Sequence, residues 1–232
     1  MSPRHLRLFA AFTLLALFSS AIHAAKEPTP VGTVTRIQGW AIEEPLGLET
    51  RALKAGSAVH ELSKIKTGHD SRLEIEFSDG AKMQLGAWAF VEIEDYANDE
   101  NRFAKTAAQF APAKRNAMNL KVLSGTFRLL SGLIAKRDRR SVRVGTPVAT
   151  LGLRGTELFG GPLQAGMPPG EIHYGFMIID GAIDVINEHG RVTLDSPNEG
   201  TFLPMAGHKA PTPPAQWKDN EVAEAYGSLE FR

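Results

Sequence analysis

The stretch from Ser71 to Phe77 alternates strictly: Leu73, Ile75 and Phe77 fall on one side, Arg72, Glu74 and Glu76 on the other. A period of two is that of a strand with one buried and one wetted face. Asp79-Gly80 follows, and Met83 and Leu85 resume the alternation. The pattern predicts a hairpin whose turn uses the freedom of glycine to take positive φ. Similar phrases return in NLKVLSGTFRLLSG (Asn119 to Gly132), in GFMIIDGAIDVINEHGRVTLDSPNEGTFL (Gly175 to Leu203) and at the start of the domain in VGTVTRIQGWAI (Val31 to Ile42). Gly80, Gly125 and Gly181 stand 45 and 56 residues apart, which suggests a loose unit used three times.

Helical pattern is scarce. Glu100 to Ala117 is rich in Ala and Lys and reads as a polar, partly helical insertion spanning about 97–119. A second candidate runs from about Ala215 to Leu229, after the stiff APTPP linker at Ala210 to Pro214. On a helix, Val222, Tyr226 and Leu229 form one stripe with Trp217 near its edge, which must cover the β-body or meet a partner. The expected fold is all-β, a short-stranded sandwich, barrel or solenoid-like domain over 31–206. A Pro-rich linker and short helical tail follow over 207–232, and the body is expected to fold without that tail.

The N-terminal end changes the setting. Arg4, His5 and Arg7 precede an eleven-residue apolar run from Leu8 to Phe18 broken only by Thr13, then small residues. That order predicts a secretory signal peptide over 1–24, cleaved after Ala24 or Ala25, with an uncleaved anchor facing the periplasm as the alternative. No later stretch approaches the roughly 18 apolar residues of a membrane span. Arg4 and Arg7 leave with the signal, so 24 basic side chains face 26 acidic ones and the net charge is −2. A nearly neutral exported domain has no field to attract nucleic acid. There is no cysteine, hence no disulfide framework and no thiol nucleophile.

Candidate chemistry centres on Arg154, set in the apolar, small-residue run TPVATLGLRGTELFGG (Thr146 to Gly161). If Val148 to Phe159 is one strand, Gly152 and Gly155 clear space around the guanidinium for another backbone. Arg154 then reads as a tie between strands, with Asp79 or Asp180, each heading an Asp-Gly turn, as its partner. Truncating such a buried pair is expected to cost about 3–5 kcal/mol. Anion or ligand binding is the other reading. No G-x-S-x-G, S-x-x-K or H-E-x-x-H is present, so the residues predict no catalytic site. Glu171 and His173 have the spacing of two metal ligands, but two ligands beside a GMPPG loop read as a solvated turn, and no cofactor is expected. His60, His69, His189 and His208 read as surface residues. AKRDRR (Ala135 to Arg140) is the densest basic patch, and Arg137, Arg139 and Arg140 are candidate contacts for an acidic partner, lipid headgroups or glycan. Trp217 and Tyr226 on the tail are further candidates for partner binding. Trp40, Trp88 and Trp217 could stack on sugars, but Trp40 and Trp88 adjoin strand patterns and are expected in the core.

These pieces in order resemble the FecR domain family, over about Val31 to Leu203. The resemblance rests on the opening strand VGTVTRIQG, a hairpin carrying Thr67, Ser71, Asp79 and Gly80, the LSGTFR strand, and a segment with Thr146, Pro147, Ala149, Arg154, Gly155 and Thr156. It is completed by the IIDGAIDVI phrase containing Gly181. The resemblance implies an all-β, partly solenoid-like domain on the outer side of the cytoplasmic membrane, of a kind known for relaying signals to sigma factors. Only seven residues precede the apolar run, which leaves no room for a cytoplasmic output domain, so direct sigma-factor regulation is not expected. The expected function is a non-enzymatic periplasmic module binding an envelope protein in signalling or assembly. A carbohydrate- or peptidoglycan-binding module is the alternative.

Overall fold

In the computed structural model, residues 28–98, 116–137, 141–206 and 208–232 are described here. The expected signal segment, Arg139, Arg140 and residues 99–115 of the expected insertion lie outside them. The ends of that insertion differ from expectation: Ala97 closes one strand and Ala117–Asn119 open another.

Among the described residues, eighteen strands build two open nine-stranded sheets. The first, sheet A, contains β1 (Pro30–Gln38), β4 (Ala58–His60), β6 (Arg72–Phe77), β7 (Lys82–Leu85), β10 (Phe127–Leu130), β13 (Glu157–Leu163), β14 (His173–Asp180), β17 (Glu199–Pro204) and β18 (Ala215–Gln216). Sheet B contains β2 (Ala41–Pro45), β3 (Arg51–Ala52), β5 (Ser63–Thr67), β8 (Phe90–Ala97), β9 (Ala117–Ser124), β11 (Val142–Gly145), β12 (Thr150–Leu153), β15 (Ile183–Asn187) and β16 (Gly190–Leu194). The chain crosses repeatedly between the sheets while advancing along both. The result is a sandwich with solenoid-like progress and not a closed barrel. Among the described residues two helices join it, α1 (Leu133–Arg137) and α2 (Asp219–Gly227).

The alternation seen in the sequence decides which side chains enter the shared core. Leu73, Ile75, Phe77, Met83 and Leu85 of sheet A face Ile65, Val91, Leu120, Val144 and Leu151 of sheet B, all essentially inaccessible to water. A one-residue slip in any of these strands would turn its apolar set outward, so burial itself holds the register. The three glycines do not mark one repeated unit. All have φ between 81° and 84°, but Gly80 closes the β6–β7 hairpin within sheet A, whereas Gly125 and Gly181 lie where the chain passes between sheets.

A second, smaller core lies on the outer face of sheet A. Phe159, Leu163 and Met177 project outward there and are covered by Trp217, Ala225 and Leu229 of the tail. The helical stripe therefore differs from the expected one: Ala225 and Leu229 are buried, Val222 is half-buried, and Tyr226 is exposed. Trp217 faces inward and is only 6% exposed. Trp40 and Trp88, expected in the core, are 52% and 60% exposed. Their backbones sit at turns, where the inward direction is already filled by Ala41 and Ala89. His60, expected at the surface, is buried beside Glu43, whose carboxylate accepts the His60 backbone N–H at 2.7 Å and Arg51 Nε at 2.9 Å. His69, His189 and His208 are exposed, as expected of surface residues.

Candidate ligand-binding surface

The polar residues of the sequence motifs are joints before they are anything else. Thr67 Oγ1 donates to the Gly86 carbonyl at 2.7 Å and accepts the Ala89 N–H at 2.8 Å. Ser71 Oγ accepts the Trp40 N–H at 3.0 Å. Thr146 Oγ1 closes a turn onto Ala149. Asp79 is buried, and its carboxylate accepts the N–H of Ala81 at 3.1 Å, the Tyr96 hydroxyl at 3.1 Å and the N–H of Ile134, in the first turn of α1, at 3.2 Å. Each spans a corner where backbone groups leave the ladders and need other partners.

Arg154-Gly155-Thr156 is such a corner. Val148 to Phe159 is not one strand, because β12 ends at Leu153 in sheet B and β13 begins at Glu157 in sheet A. Thr156 holds the step: Oγ1 donates to the Ala182 carbonyl at 2.7 Å and accepts the Arg154 N–H at 3.0 Å, and its own N–H donates to Ser131 Oγ at 2.6 Å. Gly155 takes φ 72°, and its carbonyl lies so close to Gly181 that a Cβ on Gly181 would collide with it. The chain's return step at Asp180–Ala182 packs on this one.

The Arg154 side chain runs over the outer face of sheet B and meets Asp184, not Asp79 or Asp180. Asp79 is engaged at α1 and Tyr96, and Asp180 lies exposed opposite Glu157. Asp184 Oδ2 also accepts from Arg191 at 2.8 Å, and Oδ1 accepts the Thr193 hydroxyl at 2.7 Å. Burial alone would push the Asp184 carboxyl up; the hydrogen bonds from Thr193, Arg191 and Arg154 outweigh it and hold the group below its ordinary value.

This pair is half-wetted, with the Arg154 side chain 40% exposed. Arg154→Ala leaves Asp184 two partners, so the expected loss is about 1 kcal/mol, below the value for a buried pair. Because the folded pKa of Asp184 is depressed, its contribution is complete above the unfolded value of about 3.9 and disappears as pH falls through the folded one. Urea melts of wild type and Asp184→Asn should therefore differ at neutral pH and converge below about pH 4. A constant difference down to pH 2 would remove Asp184 from the acid response.

Around this pair lies an open groove of about 850 Å³. Across the strands the register runs Arg143, Gly152, Asp184, Thr193, so Gly152 leaves a gap between Arg143 and Asp184. Arg143, Arg154, Arg191, Glu188 and Ile186 border it. Asp184 orients two of the guanidinium groups. Arg143 is exposed and makes no hydrogen bond or ion pair among the described residues. A planar guanidinium in this state suits a carboxylate, which it can bind through two parallel N–H groups. Sequence reading singled out Arg154 but missed Arg143, Asp184 and Arg191. The only local signal was an outward Arg in VRVG and an Asp between Ile183 and Val185.

Among the described residues, the other predicted site residues are not gathered here. Arg137 is exposed at the end of α1. Trp217 is covered, while Tyr226 lies exposed with the Arg128 guanidinium 5.9 Å from its ring centre. Glu171 and His173 are 3.7 Å apart as a surface pair. Among the described residues, Glu188, His189 and His208 present three potential metal-ligand atoms within 4.8 Å of one another, all on exposed side chains.

Comparison with known proteins identifies one family. Residues 63–166, from β5 to just past β13, match the family described as FecR protein. Two crystal structures of a candidate anti-sigma factor from Parabacteroides distasonis ATCC 8503 align with TM-scores of 0.48 and 0.46, each at 12% identity. Both alignments cover 69% of this chain, which spans 62% of the length of those structures. No curated protein matches significantly.

Proposed function

We propose, from the FecR-family segment that the chain carries over residues 63–166, that this protein is a non-catalytic module of the cell envelope that recognises a protein partner in signalling or assembly. The observation that carries the reading is the groove on sheet B. Three arginines from separate parts of the fold converge on it, two are oriented by Asp184, and Arg143 is left to take an acidic side chain. The motif residues Thr67, Ser71, Asp79 and Thr156 support a non-enzymatic role, since each is bonded to backbone groups at a corner. The basic, apolar and small-residue order of residues 1–24 supports export to the periplasm. Among the described residues, no helix is long and apolar enough to cross a membrane.

Arg143→Glu tests the groove without touching the core. Crosslinking in an envelope extract followed by mass spectrometry should recover a partner with wild type and at least ten-fold less of it with the variant. The melting temperature should be unchanged. Capture should also weaken with added salt, because exposed charge pairs are screened over about 10 Å at 0.1 M. Equal recovery by both proteins would move the docking surface elsewhere. Intact mass from the periplasmic fraction should place the first residue at Ala25 or Lys26; a chain retaining Met1 in the membrane fraction would establish the anchored form.

A further inference from the structure

Three turns meet at one end of sheet B: those before β2, after β5 and before β8. They present Trp40, His69 and Trp88, all exposed. Trp88 has φ 53°, a left-handed conformation that is an outlier for a bulky side chain and is ordinarily left to glycine or asparagine. A turn that only needed to turn would be served better by glycine. A tryptophan kept there in a strained backbone, with most of its side chain in water, points to a role outside packing.

The backbone that carries both indoles is held in place. The Trp40 N–H donates to Ser71 Oγ at 3.0 Å, and the Trp40 carbonyl accepts the Gly68 N–H at 3.1 Å. The Gly68 carbonyl accepts the Trp88 N–H at 3.2 Å, and the Trp88 carbonyl accepts the Ser124 hydroxyl at 2.8 Å. The Trp40 ring lies directly on Gly68, where any Cβ would overlap it. His69 meets Trp88 edge to face, with ring centres 5.9 Å apart and an interplanar angle of 69°. Its Nδ1 is 2.7 Å from the Asp70 carboxylate, and the Gln38 amide donates to the Asp70 carbonyl at 3.1 Å.

We propose that this corner is a carbohydrate-binding platform, with Trp40 and Trp88 stacking on the pyranose faces of an uncharged polysaccharide. Two successive interstrand hydrogen bonds separate their backbones, a distance of about 10 Å. The Trp40 ring reaches over Gly68, the residue between the two backbones, which places its indole toward Trp88. A pyranose ring has an apolar C–H face and a hydroxyl rim, and the corner offers the matching surfaces. The indoles supply flat apolar area with a polar tip, and the exposed Asp70 and His69 stand beside them to exchange hydrogen bonds. Asp70 lies near Arg72 and Arg232, so charges of both signs border the corner and no single one dominates it. This site uses other residues than the arginine groove and does not depend on it.

The test is titration of the full exported chain with chitohexaose, and with cellohexaose as a second probe, followed by tryptophan fluorescence and calorimetry. Saturable binding with a blue shift is expected. Trp40→Ala and Trp88→Gly should each weaken it at least ten-fold. Trp88→Gly relieves the positive φ, so its melting temperature should hold or rise, which separates loss of ligand from loss of fold. Arg143→Glu should bind the sugar as wild type does, whether or not it captures a protein partner. Absence of binding to both oligosaccharides overturns the proposal, as does binding that survives both tryptophan changes. Binding of a proline-rich peptide at the two tryptophans, without sugar binding, would overturn it in favour of a protein ligand.

Discussion

Trp217→Ala is expected to lower stability by about 3–5 kcal/mol, the range for truncating a large buried aromatic. The ring stacks on Phe202 with centres 4.9 Å apart and planes at 6°, and meets Phe159 edge to face at 6.0 Å. Beneath it lie Gly175 and Gly200, which have no side chains that could move into the space left by the indole. The tail has other fastenings besides this ring and the buried Ala225 and Leu229. Two residues of β18 pair with β17, the Glu224 carboxylate accepts the N–H groups of Gln164 and Ala165, and Arg36 sits 4.1 Å from the ring centre of Phe231. Deleting Thr212 to Arg232 would uncover Phe159, Leu163 and Met177 together, and the truncated protein should melt earlier and self-associate. The linker is no isolating spacer: Thr212 exchanges hydrogen bonds with Thr201 and Phe202, so it runs along β17. Urea melts and size-exclusion chromatography decide the matter. A loss below about 1 kcal/mol for Trp217→Ala, with a monomeric truncated form, would show that the outer face of sheet A does not need its cover.

Asp79→Ala should destabilise by about 3 kcal/mol, because it strands buried donors on three elements at once. The carboxylate joins the β6–β7 turn through Ala81, β8 through the Tyr96 hydroxyl, and α1 through Ile134. Burial and the nearby Asp79 charge also push the Tyr96 hydroxyl well above its usual pKa, so it remains a proton donor at any working pH. Asp79→Asn retains one acceptor oxygen and should lose less. Gly132→Ala should disturb the same joint from the other side, since its Cβ would come within 2.5 Å of the Ala81 nitrogen and the Asp79 carbonyl oxygen. Melts of the three variants should rank Asn mildest. Equal and small losses for Asp79→Ala and Asp79→Asn would mean that the carboxylate is not the joint.

Much of this was legible in the chain because it is local. The two-residue period placed Leu73, Ile75 and Phe77 inside, and Asp79-Gly80 announced a turn, since strand geometry and positive φ are properties of neighbouring residues. The polar motif residues could be found as well, though not what they hold. Which sheet a strand joins, and which carboxylate meets Arg154, depend on segments far apart in sequence. Asp79 and Asp180, each heading an Asp-Gly turn, were the candidates the sequence offered, and Asp184 was not among them. Only the crossings between sheets sent Asp79 to α1 and brought Asp184 beneath Arg154 and Arg191.

The three tryptophans mark the boundary most clearly. By residue type alone they are interchangeable, and their strand-like surroundings favoured Trp40 and Trp88 for the core. The sequence by itself determined an all-β chain, its turns and its inward-facing positions. Tertiary structure decided that Gly175 and Gly200 form a bare floor opposite Trp217, while the corners that carry Trp40 and Trp88 leave both side chains more than half exposed. Burial is a property of what lies across the gap, and local sequence carries no record of that.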